Sequence, residues 1–219
     1  MDILEAIQAR HSVRDFLAKP VPREIVMQIL EAATRSPSGG NGQPWEIFVA
    51  SGATLENIRQ AYQERFRHAA GAPVRAGGPG APLPAFIQER MATIRTERMK
   101  LLGLDPSDPE SGRVFMEMGS RLFGAPVVAV ICMDKALSSY FDLGLLAQSI
   151  CLAAQNFGVD SMIASAFVSQ PDILRKELEI PESLNIIIGV GLGYPDPKGI
   201  INTYRSPRRS MEEVVRYKG

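Results

Sequence analysis

Residues 140–157 read YFDLGLLAQSICLAAQNF, with Asp142 the single ionised side chain in the run. A stretch of this length and composition reads as a helix, and a helix that is apolar on all sides must be covered on all sides. In a chain of 219 residues a subunit interface could supply part of that cover. Gly158 ends the helix, and residues 161–167 read as a short strand. Upstream, PVVAVICM at 126–133 is a buried strand by its β-branched content. Downstream, a helix is predicted over 171–178 and the last strong strand over 184–192, LNIIIGVGL. Working back to the start, Asp2 is placed to cap a helix over 2–10 with Ile3, Leu4 and Ile7 at helical spacing. Pro20 and Pro22 open a second helix, REIVMQILEAATRS, with Ile25, Ile29, Leu30 and Ala33 on one face. SPSGGNGQP at 36–44 is a loop, WEIFVA at 45–50 a first strand, and 54–68 a helix. The sum is an α+β protein, with a few strands in one sheet buried between long helices.

One part of the chain departs from this pattern. Residues 70–84 read as a flexible connection, with six Gly or Pro among residues 73–82. Residues 86–102 are helical and strongly charged, with Met91, Ile94, Met99 and Leu102 as apolar positions, and 104–112 is a Pro- and Asp-rich loop. Residues 71–112 are too short and too polar to build a core of their own, so they form an excursion from a single domain spanning 1–219. Phe86, Met91 and Met99 either line a pocket or, on the simpler reading, pack the excursion helix on its own core. The tail from 194 is polar and carries Pro195, Pro197 and Pro207.

Composition narrows the function. Lys plus Arg and Asp plus Glu both number 24, so no charge excess draws the chain to nucleic acid or an anionic membrane. Cys132 and Cys151 lie in apolar runs and read as buried free thiols in a reducing compartment, the cytoplasm by default. The charged start does not suit a signal peptide, and no run has the length and apolarity of a transmembrane helix. His11 and His68 are the only histidines, and neither has a second His or Cys at metal-ligand spacing. Walker loops, HExxH and CxxC are absent. An enzyme with this inventory leans on a bound cofactor.

Four stretches bear on that cofactor. In RHSVR, Arg10 and Arg14 bracket Ser12, and two guanidinium forks with a hydroxyl on a short turn suit a phosphate monoester. By itself the stretch reads first as a solvated turn with ordinary surface arginines. In SPSGGNGQPW, adjacent glycines let backbone approach a flat ligand, and Asn41 and Gln43 offer amides for a heterocycle edge; a plain connecting loop has the same composition. Trp45 reads as core. In YRSPRRSMEEVV, Arg205, Arg208 and Arg209 cluster, as an anion site or as a solvated basic patch. GVGLG at 189–193 lacks the spacing of a dinucleotide loop and is followed by prolines where a helix should begin, so it reads as the close-packed end of a strand.

In combination and in this order, RHSVRDF, SPSGGNGQPWEI, the buried helix ending QNFG, and RSPRRSMEEVV resemble the nitroreductase family of FMN-dependent enzymes. The resemblance covers nearly the whole chain and is weakest over 71–123. It implies an α+β fold with a central, mostly antiparallel sheet flanked by helices, in an intertwined homodimer with two FMN molecules in the interface. It implies ping-pong electron transfer, from NADH or NADPH to FMN and on to a nitroaromatic, quinone or similar small acceptor. Within the same fold, dehalogenation, flavin fragmentation or enone reduction are alternatives, and a flavin-binding module without turnover is another. Carried over by residue, the resemblance places Arg10 and Ser12 on the FMN phosphate or ribityl chain, with His11 structural or a backbone contact beside them. Arg14 would reach the flavin pyrimidine edge. Pro37, Ser38 and Gly39 of the other subunit would cover the ring, with Asn41 and Gln43 at polar positions beside it. Ser165 and Ala166 match the pair whose amides face flavin N5 and O4, where many members carry Glu-Gly or Gly-Gly. Arg205 and Arg208 match a C-terminal phosphate clamp, with Arg209 a neighbouring candidate. The excursion over 71–112 would overhang the flavin. Arginines from both chain ends would offset the roughly two negative charges of the phosphate, and no acid or base side chain is required, so no catalytic residue and no metal ligand is expected.

Overall fold

The computed structural model describes residues 2–68 and 83–219. The connection expected over 70–84 therefore lies, apart from Leu83 and Pro84, outside the described residues. Helix α1 (Ile3–Ala9) starts from a capping box in which Asp2 accepts from the Leu4 amide and Glu5 accepts from the Asp2 amide. Helix α2 (Arg23–Ala33) follows Pro22 and buries Val26, Ile29, Leu30 and Ala33. The chain continues through β1 (Trp45–Ser51), α3 (Gly52–His68), α4 (Ala85–Leu101), α5 (Pro109–Ser120) and β2 (Val127–Asp134). Beyond them come α6 (Tyr140–Asn156), β3 (Asp160–Ala164), α7 (Pro171–Leu178), β4 (Leu184–Gly193) and the short α8 (Met211–Val214).

The strands form a four-stranded sheet in the order β1-β2-β4-β3, with every neighbouring pair antiparallel. A parallel bridge between Ser12 and Ser161 lays the N-terminal segment along β3. Successive residues of β2 point to opposite faces. Val127, Ala129, Ile131 and Met133 pack in a cluster with α2 and α6, while Val128, Val130 and Cys132 pack in the cluster that holds residues of α3 and α7. Burial on both faces explains why this strand reads as an unbroken apolar run. The glycines of β4 have a packing cause. A Cβ on Gly191 would sit 2.5 Å from Phe167 Cζ, and one on Gly189 would meet Phe167 Cβ. Phe167 fills the room they leave, edge-to-face with Phe123 at 5.8 Å. The segment 189–193 is thus a close-packed strand end, as read from its sequence.

Some elements depart from expectation. Helix α5 begins within residues 109–112, read as loop, and continues through 113–120, to which the sequence pattern assigns no element; Asp108 caps it by accepting from the Glu110 and Ser111 amides, and Pro109 stands at the first turn. Strand β3 stops at Ala164 instead of 167, and Ser165–Val168 turn as a 3-10 segment that carries Phe167 back across the sheet. On α4, Met99 is buried, but Phe86 and Met91 are exposed, so the helix is not packed on its own core along its length. The tail is more ordered than its polarity suggests, with Ile201 and Asn202 buried in a 3-10 turn, Ile200–Thr203.

Helix α6 buries Leu143, Leu146, Ala147, Ile150, Cys151 and Ala154. Its Phe141 stays 79% exposed, and Tyr140 beside it is also exposed. Helix α1 lies against α6 and leaves Ile3, Leu4 and Ile7 exposed. No helix among the described residues is long and apolar enough to cross a membrane.

Candidate active site

The two ends of the chain meet beside β3. The Val13 amide donates to Ser161 O at 3.1 Å, and the Leu17 amide to Tyr194 O at 2.8 Å. Buried Asn202 fastens the junction. Its Oδ1 accepts from the Arg14 amide at 2.8 Å and the Asp15 amide at 3.2 Å, while its Nδ2 donates to Asp15 O at 2.7 Å and Asp196 O at 3.2 Å. A single amide side chain can serve both segments because it carries donor and acceptor together.

Several residues of the predicted site lie on the segments that meet here. Arg10 is the C-terminal cap of α1, its amide bonded to Ala6 O. His11 Nδ1 lies 3.0 Å from Ala9 O, a backbone contact that steadies the turn. Ser12 pairs with Ser161, and Arg14 Nη1 donates to Ser12 O at 2.9 Å. Ser165 and Ala166 follow directly from β3, the first exposed and the second half-buried. Arg205 Nη1 donates to Asn202 O at 2.6 Å, and Arg208 Nη1 to Ser206 O at 2.8 Å. Arg209 turns away instead, to pair with Glu213 of α8. Arg205 and Arg208, unlike Arg209, have no carboxylate partner among the described residues.

Arg14 is the unusual member. It is only 9% exposed, and its Nε has no hydrogen-bond partner. Burial, and then the neighbouring Arg98 guanidinium, hold its pKa down to about 10. Arg98, on α4, is half-buried with its own Nε unpartnered, and its guanidinium lies 5.1 Å over the Tyr204 ring. The Tyr204 hydroxyl donates to Glu97 at 2.5 Å. Sequence reading passed over Arg98, Tyr204 and Asn202, because nothing distinguishes them from other polar residues of the excursion and the tail.

The loop from Pro37 to Gln43 stands elsewhere. Ser36 Oγ bonds Ser149 Oγ of α6 at 2.7 Å, and the Gly39 amide points to Asp142 at 3.4 Å. Ser38 Oγ accepts from the Gln43 amide at 2.9 Å, shaping a turn in which Gly40, Asn41 and Gln43 have positive φ. Pro37, Gly39, Asn41 and Gln43 are exposed. Among the described residues no hydrogen bond joins this loop to the arginine junction. Trp45 packs against the core, as expected. No group of His, Cys, Asp or Glu among the described residues could hold a metal.

The fold is α+β, and at one edge of its sheet the two ends of the chain meet around buried Arg14 and Asn202, with further arginines nearer the surface. Comparison with known proteins gives the family. The Nitroreductase family matches residues 7–194. A chloronitrobenzene nitroreductase of Comamonas testosteroni is 32% identical over 219 residues, covering 97% of this chain and 95% of that protein. Among solved structures, the FMN and NADPH-dependent nitroreductase NfnB of Sphigopyxis sp. strain HMH has a TM-score of 0.90 at 26% identity over 100% of both chains. NfnB of Mycobacterium smegmatis in complex with NADPH has a TM-score of 0.86 at 27% identity, covering 99% of this chain and 97% of that one. The chain belongs to the nitroreductase family.

Proposed function

We propose that the protein is an FMN-dependent oxidoreductase that takes electrons from NADH or NADPH and passes them, in ping-pong fashion, to small electron-poor acceptors such as nitroaromatics and quinones. The observation that carries this reading is the buried Nε of Arg14, a donor left without a partner at a junction of arginines. Unmet buried donors are costly, and an electron-rich heterocycle edge would meet this one. Relatives named for reducing chloronitrobenzene, nitrobenzene and 4-nitrobenzoate support the choice of acceptor.

Bound FMN supplies the two-electron chemistry; the chain's own residues bind and orient it. Arg10, Ser12, Arg205 and Arg208 hold the phosphate, and His11 keeps the turn in place. Arg14 would meet the pyrimidine edge, and Ser165 and Ala166 would offer their amides to the ring. The partner subunit's Pro37, Ser38 and Gly39 cover the ring, with Asn41 and Gln43 on its polar side. The protein works as a homodimer, for which the exposed apolar side chains of α1 and α6 provide an interface. The chain acts as one domain over 1–219, and the described part of the excursion, residues 83–112, overhangs the acceptor, offering the exposed Phe86 and Met91 of α4 to it. Two buried free thiols suit a reducing compartment such as the cytoplasm.

Anaerobic titration of the flavin-loaded protein with NADH and NADPH tests the assignment. The yellow flavin should bleach with at least one nucleotide and recover its colour when a nitroarene or quinone is added. Absence of bleaching with both would replace the enzyme with a flavin-binding module.

A further inference from the structure

Arg14 and Arg98 flank the same stretch of the tail: the Arg14 amide bonds Asn202, and two residues on the Arg98 guanidinium lies over the Tyr204 ring. Arg14 is buried and Arg98 half-buried. Among the described residues neither takes part in an ion pair. The carboxylate that acts on Arg98, Glu97, already accepts the Tyr204 hydroxyl. Each guanidinium keeps an unpartnered, buried Nε. Two like charges brought together in a dry site repel, and the arrangement makes sense where an anion or electron-rich edge joins them.

The backbone separates this pair from the phosphate clamp. Tyr204 is extended, with φ −67° and ψ 127°. Tyr204 and Ser206 face Arg98, the Ser206 hydroxyl lying 3.4 Å from Arg98 Nη2, while Arg205 between them turns its guanidinium to Asn202 O. Alternation along an extended segment thus sends the clamp to one side and the Arg14–Arg98 pair to the other.

We propose that Arg98 is a flavin-site residue contributed by the excursion helix: with Arg14 it forms a two-guanidinium cradle for the N1 and C2=O edge of the isoalloxazine, binding it more tightly when the ring is reduced. The proposal rests on the FMN reading above. Transfer of a hydride, two electrons and one proton, from a reduced nicotinamide leaves the nicotinamide oxidised and one net negative charge on the ring. That charge is what a pair of planar forks is suited to meet. Arg98 is a binding and potential-tuning residue here, and it moves no proton.

The test uses the flavin-loaded protein and its Arg98→Gln and Arg98→Lys variants. The readouts are the midpoint potential of the bound flavin and the affinities of the apoprotein for oxidised FMN and riboflavin. Arg98→Gln should lose about tenfold in its preference for the reduced over the oxidised ring, about 30 mV on a two-electron couple. Arg98→Lys, which keeps the charge, should recover most of that shift. FMN and riboflavin affinities should change by the same factor, because the phosphate is not involved. An unchanged potential in Arg98→Gln would overturn the proposal. So would weakened FMN binding with riboflavin untouched, which would put Arg98 on the phosphate. Failure of the unaltered protein to bind either flavin would overturn the FMN reading itself and is seen before any variant is made.

Discussion

Asn202 and Arg14 show how a buried polar side chain can serve opposite ends. Asn202 is fully engaged, accepting and donating to backbone of two segments. Asn202→Ala should lower stability by about 1–3 kcal/mol through unmet backbone groups, read by urea unfolding. An unaltered urea midpoint would mean that water replaces the amide. Arg14 is the reverse case, a buried cation with an empty donor. With its pKa held down to about 10 in the fold, below the ordinary value of a guanidinium, its charged form is disfavoured. The unfolded chain then holds more protons than the fold between those values, so flavin-free stability gains from this group as pH rises through that window. Arg14→Met should accordingly leave the flavin-free protein as stable or stabler by up to about 1–3 kcal/mol, while weakening FMN binding. Loss of stability in the apoprotein would contradict that account. For the clamp, Arg10→Ala should cost FMN binding about 1.5–3 kcal/mol, measured by flavin fluorescence titration. Unchanged affinity would remove Arg10 from the site.

At the level of single elements, β4 is the tightest constraint. Gly191→Ala should destabilise by about 1–3 kcal/mol because its methyl group runs into the Phe167 ring; thermal melts of this variant and of Gly191→Ala with Phe167→Leu separate that clash from a general loss, since the smaller side chain should restore part of the difference. The thiols report on the same core. Burial pushes Cys132 up to about 12 and raises Cys151 too, so neither should react with a thiol reagent near pH 8 until the protein is unfolded. β1, β2 and β4 were legible because each carries β-branched residues in a short apolar run, and α6 because its composition excludes solvent from most of its surface. Helix α5 was missed although Asp108-Pro109 is a start signal, since the Pro and Asp around it look like loop chemistry. Strand β3 was read too long, to 167, because Phe167 is apolar for a different reason: it folds over the sheet to fill the space above the β4 glycines. Of the site, the arginines at the chain ends were visible in sequence. Arg98 and Asn202 acquire meaning only from residues far along the chain, which local patterns do not carry.

For the whole molecule, the single chain leaves apolar surface that its own fold does not use. Ile3, Leu4 and Ile7 of α1 and Tyr140 and Phe141 of the adjoining α6 are exposed, and the net charge of zero does little to hold copies apart. Phe141→Lys should shift the protein toward monomer in sedimentation at micromolar concentration and reduce FMN occupancy, because the 37–39 loop would no longer reach a partner's site. A variant that stays dimeric would move the interface elsewhere.

The Asn202 junction also sets the order in which the protein can be made. It joins residues 188 positions apart, so almost the entire polypeptide must leave the ribosome before the knot can be tied. The helices and the β1–β2 pair need no such wait. A growing chain would thus carry formed helices and a sheet still open where β4 has yet to join, and it would take up flavin only as a late step, after synthesis has passed Asn202.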